Sequence, residues 1–289
     1  MSKRYLIINA DDFGVCVETN EAVEDAFNNG CLTSTTVMTP AGAAEDAIER
    51  AKRNPKIKMG LHTTLNTEYK QEHWRSIAPA QSVSSILDSD LFIQHDTDAF
   101  YKNAIVEEVE KEIFAQYKFV LSRGYRPTHV DNHCGTVYGF TGKPFYDQVF
   151  ALCSRYHLPF RLPKNKFFLK GAYGDKIPEE MDLLHTNAVE KAAVKGIPLP
   201  DDLITNPFGM KDIPSYEHLK AFYIHVVQNL REGVTELYMH PSKESKTIKS
   251  AGWQKRIWEY QILVDDEFFN TLQKEGIVLV NYETAPFKL

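Results

Sequence analysis

The sequence is poor in cysteine and has no long apolar run. Its four cysteines are widely spaced and form no CxxC pair, which argues against a disulfide scaffold and fits a reducing compartment. No segment approaches the roughly 18 apolar residues that cross a membrane, and the run after Met-Ser-Lys-Arg is too short for the apolar core of a signal peptide. We therefore expect a cytoplasmic protein without a membrane partner.

An excess of positive charge is also missing, and so are the loops that bind phosphates. The formal net charge is −6, whereas nucleic-acid-binding proteins usually carry a basic face, so no nucleic-acid partner is expected. Neither a GxGxxG nor a GxxxxGK phosphate loop occurs, and no GxSxG motif supplies a serine nucleophile. With 43% apolar and 25% charged residues, the chain is an ordinary globular protein whose chemistry must come from other side chains.

The sequence does contain acidic and histidine residues at the ends of strand-like runs. The run at 6–10 ends in Asp11 and Asp12, the run at 56–61 ends at His62, and the run at 128–131 precedes His133. Carboxylate and imidazole groups are the ligands of catalytic metals that keep open positions. Three strands that deliver such groups to one edge of a sheet would form a metal site there.

Strand-like and helix-like segments alternate along the chain, which indicates an α/β fold with parallel strands. The apolar pattern predicts strands at residues 6–10, 33–38, 56–61, 128–131, 159–162, 235–239 and 277–281. It predicts helices at residues 18–28, 44–51, 105–122, 145–156, 216–230 and 253–274. About seven such units suggest a closed or nearly closed barrel, whose site lies at the carboxyl ends of the strands.

Two stretches, residues 67–98 and 163–215, do not follow this alternation. The second is rich in proline, glycine, aspartate and lysine. Long irregular stretches inside a compact domain are usually lids or substrate loops. No linker composition divides the chain, so we expect a single domain over residues 1–289 with substrate-loop insertions around 67–98 and 163–215.

The adjacent carboxylates Asp11 and Asp12 admit two interpretations. On a regular strand they would point to opposite faces, which does not favour a glycosidase pair facing one scissile bond. Just beyond a strand end, one could bind metal while the other acts on a bound water. The alternative is a simple turn, because Asp-Asp-Phe-Gly contains good turn and helix-capping residues.

Further candidates lie at or near the ends of other predicted strands. His129, Asp131 and His133 share one face of a strand, so a histidine could bind metal while a neighbour orients it. Arg161 could hold a catalytic carboxylate ionised or form an ordinary surface ion pair. His240 could act as a general acid or cap its strand through a backbone hydrogen bond.

Taken together, these motifs resemble the YdjC-like carbohydrate deacetylases, a group that includes the chitooligosaccharide deacetylases. The resemblance is carried by residues 9–14 (Asn-Ala-Asp-Asp-Phe-Gly), 32–36, 60–62, 127–133 and 239–241, in the expected order. It implies a distorted TIM-like barrel related to that of the polysaccharide deacetylases. It also implies one divalent metal ion, Mg²⁺ or Zn²⁺ first among the candidates, and removal of an N-acetyl group from an acetylated amino sugar or short chitooligosaccharide.

The resemblance assigns roles to individual positions of this chain. The implied metal ligands are Asp12, His62 and His133. The implied catalytic residues are Asp11 as general base, Arg161 as its support and His240 as general acid. One departure is that Cys134-Gly-Thr-Val-Tyr138 stands where family members often carry further histidines. The expected partners are a small acetylated amino sugar and, as an option, a second copy of the chain in a homodimer.

Two other classes of protein stay open on the residues alone. Two histidines and a carboxylate also form the metal triad of non-haem Fe(II) oxygenases. A non-catalytic sugar-binding protein could retain the same groups. Acetate release from an acetylated amino sugar without oxygen would separate the three, because an oxygenase needs oxygen and a binding protein releases nothing.

Overall fold

A long strand near the amino terminus forms the centre of the sheet. In the computed structural model, which describes residues 3–68, 72–140, 142–250 and 252–288, β1 (Arg4–Phe13) has parallel neighbours on both sides. The other strands are β2 (Ser34–Val37), β3 (Met59–Thr63), β4 (Val130–Asn132), β5 (Asp202–Ile204), β6 (Gly233–Met239) and β7 (Val278–Leu279). Their order is β4-β3-β2-β1-β6-β5, and β7 pairs with the beginning of β1. Because all pairs are parallel, their carboxyl ends meet at one edge of the sheet.

Helices follow most of the strands and pack on the outer face of the sheet. Within the described residues, the α-helices are α1 (Val17–Asn29), α2 (Ala44–Arg53), α3 (Thr97–Asn103), α4 (Val106–Ser122), α5 (Tyr146–Tyr156), α6 (Lys170–Tyr173), α7 (Glu179–Val194), α8 (Tyr216–Gln228), α9 (Trp253–Leu263) and α10 (Asp266–Lys274). Leu6, Ile8 and Ala10 of β1 are buried in the same apolar core as residues of α1, α2 and α4. The predicted α/β class with parallel strands is confirmed.

The opposite face of β1 is also buried, as expected for a parallel sheet covered on both faces. Ile7 packs there in a small separate cluster that includes Val234 and Tyr282. Since side chains alternate along a strand, Asn9 and Asp11 lie above Ile7 on this inner face. The inner face therefore leads from an apolar base to polar groups at the carboxyl edge.

The sheet curls into a distorted barrel that short irregular segments help to complete. Residues 159–161 run beside β4, where Val130 N donates to Pro159 O and Arg161 N donates to Val130 O. Phe160 N in turn donates to Pro198 O, close to the start of β5. The strand predicted at 159–162 is thus a single bridge at Phe160, and its main effect is to bring Arg161 to the inner face.

The region 163–215 contains more regular structure than its composition suggests. It includes α6, the 16-residue helix α7 and the three-residue strand β5. Helix α7 was not predicted because its buried residues include the polar His185 while the apolar Leu183 and Val194 are exposed, so the sequence shows no clear apolar face. Strand β5 was not predicted because three residues are too few to show an alternating apolar pattern.

The helix predicted at 253–274 is two helices, α9 and α10. The break falls at Val264 and Asp265, where the Asp265 side chain accepts hydrogen bonds from Glu267 N and Phe268 N and begins α10. In the part of the chain that the structure describes, no helix is both long and apolar enough to cross a membrane.

Candidate metal centre and catalytic site

Asp12 reaches the site because β1 is irregular at its carboxyl end. Asp12 has a φ of 64°, and the register between β1 and β2 shifts between Ala10 and Phe13. Aspartate tolerates this left-handed conformation better than most residues, and such bulges redirect side chains. As a result Asp11 and Asp12, which would diverge on a regular strand, each bring a carboxylate oxygen within 4.8 Å of a ring nitrogen of His62.

Asp12, His62 and His133 converge on one point at the carboxyl edge of the sheet. Asp12 Oδ1 lies 3.3 Å from His62 Nε2 and 3.3 Å from His133 Nδ1, and the two ring nitrogens are 3.3 Å apart. Ligands about 2.0–2.1 Å from a tetrahedral metal are about 3.3–3.4 Å from one another. Among the described residues, no group donates a hydrogen bond to the buried Asp12 Oδ1. The donor set and its spacing therefore fit one divalent cation.

The other nitrogen of each histidine is held by a carboxylate. His62 Nδ1 donates to Asp131 Oδ1 at 2.7 Å, and Asp131 Oδ2 also accepts from the Thr36 hydroxyl at 2.8 Å. His133 Nε2 donates to Glu68 Oε2 at 2.6 Å. In the neutral imidazoles, these contacts would fix the tautomers so that His62 Nε2 and His133 Nδ1 carry the lone pairs that face Asp12.

The charges around the two histidines favour a cation at the site. Burial opposes protonation of His62, but Asp131 and Asp12 outweigh it and raise its pKa to about 9. The pKa of His133 is likewise raised well above its usual value despite burial, by Cys134 and Glu68 among others. Since a metal binds the neutral imidazole, metal binding here would release protons.

Asp11 is held by Arg161 rather than by the histidines. Arg161 Nη1 donates to Asp11 Oδ2 at 2.7 Å and Nη2 donates to Oδ1 at 2.6 Å, while Asn9 Nδ2 donates to Oδ1 at 2.9 Å. Burial would raise the pKa of Asp11, but the guanidinium outweighs it and lowers the pKa to about 2. Asp11 is therefore an ionised carboxylate of fixed orientation beside the proposed ligands.

His240 follows β6 directly and lines a cavity that Asp11, Asp12, His62 and His133 also line. Its backbone N–H donates to Glu259 Oε2 at 2.7 Å, and Glu259 also accepts from the Tyr223 hydroxyl at 2.6 Å. Burial lowers the pKa of His240, although Asp12 and Asp11 oppose the shift. This contact uses the backbone of His240 and leaves its imidazole available to the cavity.

The sequence did not point to several charged side chains that hold the site together. Arg256 of α9 donates to Asp12 Oδ2 at 2.6 Å, and Glu259 lies one turn further along the same helix. Glu68 comes from the irregular stretch 67–98, and Glu236 lies within the apolar strand β6. The signal that the sequence offered was a charged residue within a largely apolar segment. Glu236 and Glu259 are such residues, and both are almost fully buried in the structure.

A cavity of about 670 Å³ opens over the proposed metal centre. Acidic, histidine and aromatic side chains all line it. The aromatic residues that line it are Tyr138, Phe140, Phe167, Phe168 and Tyr238. Asn229 and Arg231 also line it. Its volume is in the range of small-molecule binding sites.

The chain is similar to known proteins over nearly its whole length. The family model described as YdjC-like protein matches residues 5–274. A protein of Thermoanaerobacter pseudethanolicus named carbohydrate deacetylase is 25% identical over 96% of this chain and 98% of its own, and one of Enterococcus faecalis with the same name is 28% identical over 98% and 99%. A solved structure of an Enterococcus faecalis protein with a proposed role in cellobiose-phosphate cleavage has 28% identity and a TM-score of 0.78, covering 98% of this chain and 99% of that one.

Proposed function

The chain belongs to the YdjC-like family, and from this premise we propose that it is a metal-dependent deacetylase of acetylated amino sugars. The curated relatives named carbohydrate deacetylase support the reaction class. The observation that carries the proposal is the pairing of two features on one inner face. Three metal-ligating atoms form a triangle with 3.3 Å sides, and the ionised Asp11, held by Arg161, lies beside it.

Asp12, His62 and His133 would hold a single divalent cation. Two imidazoles with one carboxylate suit Zn²⁺, whereas Mg²⁺ prefers an all-oxygen environment, so Zn²⁺ is the first candidate and Mg²⁺ the second. The cation, when bound, would activate water and polarise the acetyl carbonyl. Arg256 and the carboxylates Asp131 and Glu68 would keep the ligands in position.

The remaining steps belong to Asp11 and His240. As the water oxygen bonds to the acetyl carbon, Asp11 would accept its proton at a carboxylate oxygen that Arg161 keeps aimed. As the C–N bond breaks, His240 would donate a proton to the departing amine nitrogen, giving acetate and a free amino sugar. Burial lowers the pKa of His240, which makes its protonated form a stronger acid toward the poor leaving group.

The cavity fits a small sugar with an exposed amide. The aromatic side chains that line it offer apolar faces for sugar rings, and the proposed reacting groups line the same cavity. We assign the two insertions of a single 1–289 domain to substrate binding: Glu68 comes from residues 67–98, while Phe167 and Phe168 come from residues 163–215.

The proposal is tested by acetate release from N-acetylglucosamine and from its β-1,4-linked di- and trisaccharides. The purified protein is first stripped of metal with a chelator and then reloaded separately with Zn²⁺, Mg²⁺, Mn²⁺ or Co²⁺, under anaerobic conditions. Asp12→Ala serves as the control that lacks a ligand. Metal-dependent release of acetate without oxygen supports the proposal. A reaction that needs oxygen would indicate an oxygenase, and sugar binding without release would indicate a binding protein.

A further inference from the structure

A buried carboxylate of β6 also contacts Arg161, the residue that holds Asp11. Glu236 is fully buried, and its Oε1 accepts from Arg161 Nε at 2.7 Å and lies 2.6 Å from Nη2. Among the described residues that line the cavity, Glu236 does not occur, so it is out of reach of a substrate. Glu236 has no part in the catalytic steps proposed above.

Glu236 is itself fixed by a residue from the carboxyl-terminal segment. The Tyr282 hydroxyl donates to Glu236 Oε2. The Tyr282 ring is buried and stacks on His129, with ring centroids 3.8 Å apart and an interplanar angle of 9°. His129 lies against Gly60, where a Cβ would come within 2.5 Å of the imidazole. Both ends of Tyr282 are therefore held, and its hydroxyl is a fixed donor to Glu236.

Arg161 distributes its donors over two adjacent edges. The Nε edge contacts Glu236, and the terminal edge makes the two hydrogen bonds to Asp11. Because a guanidinium is planar and rigid, fixing the direction of one edge fixes the direction of the other. Asp131 also lies 2.8 Å from Nη2, but that contact alone does not set the direction of the plane.

We propose that Glu236, held by Tyr282, is a positioning residue that aims Arg161 and through it the base Asp11. This inference rests on the proposed function, since it needs Asp11 to act as a base. Glu236 acts only through Arg161, so its removal should lower kcat and leave KM and metal affinity nearly unchanged. Among the described residues, the side-chain hydrogen bonds and ion pair of Glu236 are made with Arg161 and Tyr282, not with the proposed ligands Asp12, His62 and His133.

The test compares Glu236→Met, which keeps the length of the side chain but removes both acceptors, with Glu236→Gln, which keeps one. We expect Glu236→Met to lower kcat about 10–100-fold, the usual effect of losing such a support, and Glu236→Gln to restore most of the loss. Tyr282→Phe should lower kcat by a smaller factor. Tyr216→Phe is the matched control, because it removes a tyrosine–carboxylate bond of 2.9 Å to Asp265, away from the site.

A double-mutant cycle separates positioning from general damage. In an Asp11→Asn background, Glu236→Met should cost little further activity, because the group it positions is already gone. A full additional loss in that background, or an unchanged kcat in both Glu236→Met and Tyr282→Phe, would overturn the inference. Thermal unfolding of each variant identifies any that fail to fold, and Tyr282→Phe then carries the test.

A crystal structure of Glu236→Met, or of Tyr282→Phe if the former does not fold, gives a readout independent of activity. Arg161 should turn and lose at least one of its two hydrogen bonds to Asp11. An unchanged bidentate contact between Arg161 and Asp11 in the variant would refute the positioning role. A wild-type protein that releases no acetate would refute the proposed function. Because the first result comes from a crystal structure and the second from an activity assay, the two failures are distinguishable.

Discussion

Replacing Asp11 with asparagine removes the proposed base while keeping its shape. Arg161 donates one hydrogen bond to each carboxylate oxygen of Asp11, at 2.7 and 2.6 Å. Asparagine keeps one acceptor oxygen, so the variant loses the basic charge and one of the two bonds. A positioned general base contributes about 10²–10⁴-fold to the rate, which corresponds to about 2.7–5.4 kcal/mol of transition-state stabilisation. We expect kcat to fall by this factor.

Metal binding and folding should survive the same substitution. The three proposed ligand atoms form their triangle without Asp11, and Arg161 retains its contacts to Glu236 and Asp131. Initial rates of acetate release give kcat and KM, and calorimetric titration of the metal-free protein gives metal affinity. Asp12→Asn is the matched control at the neighbouring position, and it should lose metal affinity together with activity.

One result would reverse the roles of the two aspartates. Asp11, His62 and Asp131 also bring ligand atoms within 4.8 Å of one another, so a cation could bind there instead. We favour the other triad because Arg161 already occupies oxygens of both Asp11 and Asp131. Loss of metal binding in Asp11→Asn, with turnover restored by excess metal, would refute this reasoning.

Two further predictions concern His240 and His129. His240→Ala should keep metal and substrate binding but slow amide hydrolysis by about 10²-fold or more. It should slow the hydrolysis of an activated acetyl ester much less, because that leaving group hardly needs a proton. Equal losses of rate on both substrates would count against an acid role. Burial lowers the pKa of His129 well below its usual value, so it stays neutral in the folded protein. The contribution of His129 to the free energy of unfolding is therefore fully present above pH ~6.5, the usual pKa of histidine in the unfolded chain. Below that pH the contribution falls by about 1.4 kcal/mol per pH unit, because the unfolded chain takes up a proton that the folded protein does not. Urea unfolding at pH 7, 6 and 5 should show this difference between wild type and His129→Gln, and equal slopes would contradict it.

The sequence located the proposed ligands because parallel strands end at a common edge. His62 and His133 follow directly from that rule, since each lies at or beside the end of a strand paired in parallel with its neighbour. The strand-end rule did not separate Asp12 from Asp11, and only the family resemblance assigned Asp12 as a ligand. Its direction depends on the irregular end of β1 and a positive φ. Strand ends are encoded locally, whereas this bulge is visible only in the folded sheet.

The supporting residues could not be derived because their partners are remote in sequence. Arg256 and Asp12 are 244 positions apart, and Tyr282 and Glu236 are 46 positions apart. Only tertiary packing decides which face of α9 meets the site. A buried charge in an apolar strand, as at Glu236, is the one local sign that such a partner exists.

The most direct test of the central claim is the metal content of the protein and of three ligand variants. The wild type, Asp12→Ala, His62→Ala and His133→Ala are loaded with Zn²⁺, dialysed and analysed by elemental mass spectrometry, with acetate release measured on the same samples. Three convergent protein ligands predict about one metal ion per chain in the wild type and a large loss of both metal and activity in every variant. A wild type that binds no metal yet releases acetate, or variants that keep a full equivalent, would contradict the account.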